Sequence, residues 1–262
     1  MEVKYTILGM LVYLAMLAYL SAFALFALQA GRLGRAAFGL GFLAALAGVV
    51  VRAIETHHAP LQNLFEVLLS MGAAVAPLSL LCRRWLGAQD EAADALLGAL
   101  ILFPVGLILT AEPRLLPPAL QHWLFIPHVS AYVLADVILI KAGVQAARSV
   151  LSRSSAAQQA HERIAYRLVC FGFVLLTAGL GLGAWWGKLA WGDYWNWDPK
   201  ELWSLATWLV FLCYFHFRYL SGARQPRTGS AVVLVGAAAV VVTLWVSVAG
   251  KLFGGLHTYA MP

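Results

Sequence analysis

Charged residues divide the chain into long apolar stretches with little sequence between them. Residues 5–31, 36–51, 67–82, 95–111, 168–187, 202–217 and 228–250 contain no Asp, Glu, Lys or Arg. An α-helix needs about 20 mostly apolar residues to cross the hydrocarbon core of a bilayer, with a range of about 17–25. Polar flanking side chains can reach back to the interface, so each stretch is predicted to be a crossing. An eighth, at about 128–147, is interrupted by Asp136 and Lys141, which must pair with each other or with neighbouring helices. The pattern predicts an all-α polytopic membrane bundle, a single membrane domain over 1–262. Its eight transmembrane helices are placed at about 6–29, 36–54, 63–82, 94–112, 128–147, 166–186, 201–219 and 229–250. The first apolar run exceeds the ~7–15 residues of a signal-peptide core, and only Lys4 precedes it as a basic residue, so it is read as a retained helix.

Positive charge orients these spans. Alternate loops carry Arg32, Arg35, Arg83, Arg84, Arg148, Arg153, Arg163, Arg167, Arg218, Arg224 and Arg227, whereas the opposite set carries Lys4, Arg52, Arg114, Lys188, Lys200 and Lys251. Cytoplasmic loops collect Lys and Arg, which predicts an N-out, C-out arrangement. The segment 148–164 is the longest polar stretch and is expected to form a cytoplasmic loop or short surface helix.

Composition strengthens the membrane reading and narrows the chemistry. The 262 residues are 62% hydrophobic and 11% charged, against about 45–50% and about 25% in soluble domains. The net charge of +6 includes no basic run, so it reflects topology and not a nucleic-acid surface. Cys82, Cys170 and Cys213 are too scattered for a disulfide framework or a zinc site. No metal site built from protein side chains alone is expected.

Seven of the ten tryptophans lie between Trp185 and Trp208. Interfacial belts distribute Trp over many helix ends, whereas here Trp186, Trp191, Trp195 and Trp197 share one short external loop (about 185–201) with Gly187, Gly192 and Pro199. Such a π-rich wall suits a large planar apolar ligand.

The string WGDYWNWDPKELW resembles the WWD signature of heme-handling proteins of cytochrome c biogenesis, a superfamily with CcmC, CcmF and CcsA (ResC) members. The continuation WDPKELWSLATW is most similar to the CcsA type of system II. HHAPLQNLFE at 57–66 resembles the HxPxxNxxE segment of that type, WLFIPHVSAY at 123–132 its W-L-x-x-H-V segment, and GGLHTYA its terminal histidine segment. The resemblance spans about residues 50–260. It implies that the chain handles heme b as cargo and presents it to the CxxCH segment of an apocytochrome c. It further implies a CcsB (ResB)-type membrane partner, and that the chain is the heme-binding component of a cytochrome c heme lyase complex. The membrane would be a bacterial-type cytoplasmic membrane or its thylakoid equivalent, with the WWD loop outside. No nucleic acid is expected as a partner.

Helix parity brings His128, His257 and the tryptophan loop to one face, and the resemblance implies that the two histidines are external axial ligands of heme. The WWD-loop residues Trp186, Trp191, Gly192, Tyr194, Trp195, Trp197 and Asp198 would flank the porphyrin. His216 lies about 14 residues into the seventh span, roughly 20 Å below the outer surface, where an ionisable group needs a partner. The resemblance makes it the ligand of a second, intramembrane heme, with the opposite ligand supplied by the partner, and implies heme passage from the cytoplasmic side outward. His58, Pro60, Asn63 and Glu66 match a family motif and are expected to act in ligand contact or, preferably, in loop-to-helix hydrogen bonding. Candidate propionate contacts are Arg52, Arg114, Lys188, Lys200 and Lys251, although Lys200 has Asp198 and Glu201 beside it. Asp198, Pro199 and Glu201 also have the spacing of a helix cap. Two other readings remain open at this point. One is a CcmC-like heme exporter or chaperone without ligation activity; the other is a non-heme membrane transporter or structural subunit.

Overall fold

The computed structural model describes residues 6–221, 224–246 and 257. Among these are eight α-helices and no strand: α1 Ile7–Ala27, α2 Gly31–Thr56, α3 Leu64–Leu81, α4 Glu91–Leu107, α5 Phe125–Leu151, α6 Ser155–Trp191, α7 Pro199–Ser221 and α8 Pro226–Val246. Six of them are long and apolar enough to cross a membrane: α1, α2, α3 extended to Leu86, α5, α6 and α8. The chain is a multi-pass membrane protein. α4 has 17 residues, and α7 carries His216 and Arg218 among its aromatic residues, so both fall short of that measure.

The helices form two compact units. In the first, α1 packs on α2 and α4, and α3 packs on α2 and α4. Local chemistry sets its helix starts: Thr6 Oγ1, Asn63 Oδ1 and Asp90 Oδ1 each accept a backbone N–H from the first turn that follows, as N-caps do. Tyr19 is fully buried and donates to the Gly72 carbonyl at 2.9 Å. Beyond α4 the chain runs without regular secondary structure from Ala111 to Leu116, and side chains hold its carbonyls. Arg52 donates to the oxygens of Ala111 (2.7 Å) and Glu112 (3.1 Å), Gln62 to that of Leu115 (3.1 Å), and Gln121 to that of Leu116 (2.9 Å). His58 Nε2 lies 3.4 Å from the Arg114 carbonyl. Helix α4 ends five residues before the expected position of 112 because this stretch satisfies its backbone through side chains instead.

In the second unit α5 and α6 lie side by side, and α8 packs on α5, α6 and α7. The polar segment 148–164 is not a separate loop. α5 continues to Leu151 and α6 begins at Ser155, giving a helix of 37 residues, about 55 Å long. Gln158, Glu162 and Ala165 recur on one helical face and are buried, while Gln158 Nε2 donates to the Ser152 carbonyl and its own carbonyl accepts from Ser149 Oγ. The polarity thus marks a helix face bonded from within and not a loop. Glu162 accepts from Tyr214 at 3.0 Å and from Arg218, whose guanidinium lies 3.9 Å from the Tyr166 ring centroid. Asp136 and Lys141 are both buried in α5.

Candidate functional site

The site is built in the second unit from the start of α5, the end of α6, the start of α7 and His257. His128 lies in the first turn of α5, just after the point where the ring nitrogen of His122 accepts the Leu124 N–H at 3.2 Å. The His128 Nδ1 is 2.9 Å from the Gly179 carbonyl. A carbonyl only accepts, so Nδ1 carries the proton and Nε2 the lone pair. The imidazole stacks on Trp186 (5.7 Å between centroids, 24°) and meets the Tyr132 ring edge-on at 5.2 Å. It fits there because position 183 is glycine: a Cβ would lie 2.5 Å from the His128 Cε1.

Trp186 is 1% exposed and is the hub of the site. Around it stand Trp191 at 4.6 Å, Phe125 at 5.9 Å, His128 at 5.7 Å and His257 at 6.2 Å. Trp191 also meets the His257 ring edge-on at 5.0 Å. The structure therefore brings His128, His257, Trp186 and Trp191 together. α6 then ends at Gly192 with φ +93°, a left-handed conformation that glycine adopts without steric cost.

The loop turns back into α7 through a reciprocal cap. Asp198 Oδ1 accepts the Lys200 N–H at 2.8 Å, and Glu201 Oε2 accepts the backbone N–H of Asn196 (2.8 Å) and Asp198 (3.2 Å). The same carboxylate holds His257: Nδ1 is 3.0 Å from Asp198 Oδ1, and the His257 backbone N–H donates to Oδ2 at 3.4 Å. Burial alone would raise the Asp198 pKa, but the hydrogen bond and charge of His257, with the backbone N–H groups of Lys200 and His257, hold it at about 2. Its contribution to stability is expected to be complete above about pH 4 and lost as the pH falls through 2. The melting-temperature gap between wild type and Asp198→Asn should therefore narrow as the pH falls below about 4.

The other residues singled out in the sequence separate by place. Trp195 and Trp197 form an edge-to-face pair at 6.0 Å, and Trp197 and Tyr194 are exposed. Two buried donors, Trp195 Nε1 and Asn196 Nδ2, have no hydrogen-bond partner among the described residues; Asn196 gave no sequence signal beyond its place in the loop. Lys188 donates to the Gly192 carbonyl at 2.5 Å and lies 5.6 Å from the Tyr194 ring. Burial lowers the Lys200 ammonium below its ordinary pKa, against the opposing charges of Asp198 and Asp136. His216 is exposed on α7, with Nδ1 2.9 Å from the Leu212 carbonyl. Lys251 lies outside the described residues.

Arg52 requires a correction. It is fully buried, with Nε and Nη2 each 2.9 Å from Glu66 Oε1 and its remaining donors on Ala111 and Glu112. A guanidinium engaged on every side inside the first unit is not a propionate contact. The same network explains the motif at 57–66: Glu66 Oε2 accepts the Gln62 N–H at 2.8 Å, Asn63 caps α3, the Pro60 carbonyl accepts from Ser70, and His58 faces the carbonyls of Ala59 and Arg114. These contacts fasten a loop to a helix. Arg114 belongs to the strapped segment and is exposed.

Fold and site together define a multi-pass membrane protein with paired histidines set in an aromatic cluster. The chain belongs to the Cytochrome C assembly protein family, whose profile matches residues 6–253. It is 39% identical over 126 residues to the cytochrome c biogenesis protein CcsA of Gloeobacter violaceus, covering 47% of this chain and 35% of that one. With CcsA of Chlamydomonas reinhardtii it shares 28% identity over 243 residues, covering 86% of this chain and 67% of the relative. Among solved structures, the cytochrome c heme lyase CcmF is similar with a TM-score of 0.66 and 25% identity, over 97% of this chain and 49% of CcmF. The chain thus spans about a third of the Gloeobacter relative and about half of CcmF.

Proposed function

We propose that this chain holds heme b as cargo between His128 and His257 on the outer face of a bacterial-type cytoplasmic or thylakoid membrane and presents it to an apocytochrome c. The observation that carries the reading is the convergence of two histidines on the single buried indole of Trp186. Both hold Nδ1 on an acceptor, an arrangement that would turn Nε2 of each ring to iron. Trp186 and Trp191 supply flat apolar faces, and Trp195 and Asn196 supply buried N–H groups that propionate oxygens would satisfy, with Lys188, Lys200, Arg114 and Lys251 as candidate cations. Heme vinyl groups and the CxxCH cysteines of the substrate bring the reacting atoms, so the chain contributes position, axial ligation and shielding. In this reading all eight helices cross the membrane, N-out and C-out, with the WWD loop outside. His216, exposed on α7 with its Nδ1 on a carbonyl, faces outward for an intramembrane heme shared with a CcsB-type partner. Heme then passes from the cytoplasmic side to the outer face, and the chain is the heme-binding component of a lyase complex of system II.

The reading is tested by the absorption spectrum of the protein purified from heme-replete cells. A Soret band that falls at least tenfold in the His128→Gly/His257→Gly double variant is the expected result. A colourless wild-type protein, or a band indifferent to both substitutions, would overturn it.

A further inference from the structure

The histidines differ in what holds Nδ1. His128 and His216 face the neutral carbonyls of Gly179 and Leu212, each at 2.9 Å, whereas His257 faces the carboxylate of Asp198 at 3.0 Å. Asp198 also grips the His257 backbone N–H, and it is 6% exposed, so little solvent weakens the contact. A carboxylate on Nδ1–H orients the ring and raises the donor strength of Nε2, and outer-shell partners of this kind change metal affinity by about 10–100-fold. A neutral carbonyl does so less, because hydrogen bonds to ionised acceptors are the stronger kind.

We infer that Asp198 is a positioning residue that makes His257 the retained axial ligand of the heme and His128 the ligand that yields to the incoming histidine of the apocytochrome. The inference rests on the two-histidine heme reading above. In the exchange one iron–nitrogen bond breaks and another forms, and the iron keeps its oxidation state. His128 is suited to release. Off the iron its Nδ1 keeps the Gly179 hydrogen bond and its ring keeps the stack on Trp186 and the edge contact with Tyr132, so the imidazole stays in place once Nε2 has let go. His257 is suited to stay, being fastened to Asp198 through both ring and backbone.

Asp198 has a second task, capping α7 through the Lys200 N–H. Asparagine retains that cap while removing the charge, which makes Asp198→Asn the discriminating variant. The full chain is co-expressed with a CcsB-type partner in heme-replete cells, and retained heme is measured for His128→Gly and His257→Gly, each with Asp198 intact and with Asp198→Asn. With Asp198 intact, His257→Gly should retain about tenfold less heme than His128→Gly; with asparagine at 198 the two should become equal. Asp198→Asn alone should move the heme reduction potential to a more positive value, and Asp198→Glu should bring the potential back toward wild type. Equal retention in the wild-type background, a larger loss in His128→Gly, or an unmoved potential would overturn the inference. Failure of the underlying reading looks different: the wild-type complex would then carry no heme that the His128→Gly/His257→Gly double variant lacks.

Discussion

Glu66→Leu is expected to be among the most destabilising single changes in the first unit. The Glu66–Arg52 pair is fully buried, with two guanidinium nitrogens 2.9 Å from one carboxylate oxygen. Removing Glu66 leaves the buried guanidinium with only the longer 4.0 Å contact to the part-exposed Glu55, and breaking a buried pair in this way costs about 3–5 kcal/mol. The loss reaches further, because Glu66 also accepts the Gln62 N–H and Arg52 also holds the carbonyls of Ala111 and Glu112. Thermal denaturation in detergent should show a large drop in melting temperature. The paired change Arg52→Met/Glu66→Leu should recover much of it, since an apolar pair of similar volume is often neutral. A single variant as stable as the wild type would mean that the pair contributes nothing.

Gly183→Ala should act in the opposite direction on fold and on site. Alanine in a helix interior is favoured over glycine by about 1 kcal/mol, so the melting temperature should hold or rise. The added Cβ, however, would lie 2.5 Å from a His128 ring pinned between the Gly179 carbonyl and Trp186. The imidazole must turn, and a displaced ligand should lower heme retention by about tenfold or more. Heme content and melting temperature measured on the same preparation separate the two effects. Equal heme in wild type and variant would show that the ring has room to spare.

Much of the fold is legible in the spacing of charges, because each apolar stretch must bury its backbone polar groups internally and a helix does so. Helix parity likewise predicts His128, His257 and the tryptophan loop on one face. What spacing cannot supply is pairing between distant segments. Asp198 and His257 are 59 residues apart, and Arg52 and Ala111 are also 59 apart, so neither contact leaves a local pattern. Arg52 therefore reads as an external cation when it is the buried partner of Glu66. The polar run 148–164 misleads for a related reason: Gln158 bonds with Ser149 and Ser152, and Glu162 Oε1 with Tyr214 and Arg218, and hydrophilic composition alone cannot distinguish solvated residues from internally bonded ones. The cap formed by Asp198, Pro199 and Glu201, by contrast, is legible because all its members are neighbours.

Connections between helices usually tolerate insertion, since their backbone groups answer only to water. The segment from Ala111 to Leu116 does not have that latitude. Five of its six carbonyl oxygens sit against the side chains of Arg52, His58, Gln62 and Gln121, so one extra residue would put every subsequent oxygen out of step with its donor. The length of this connection is set by the donors beneath it, much as a key is cut to fit its pins.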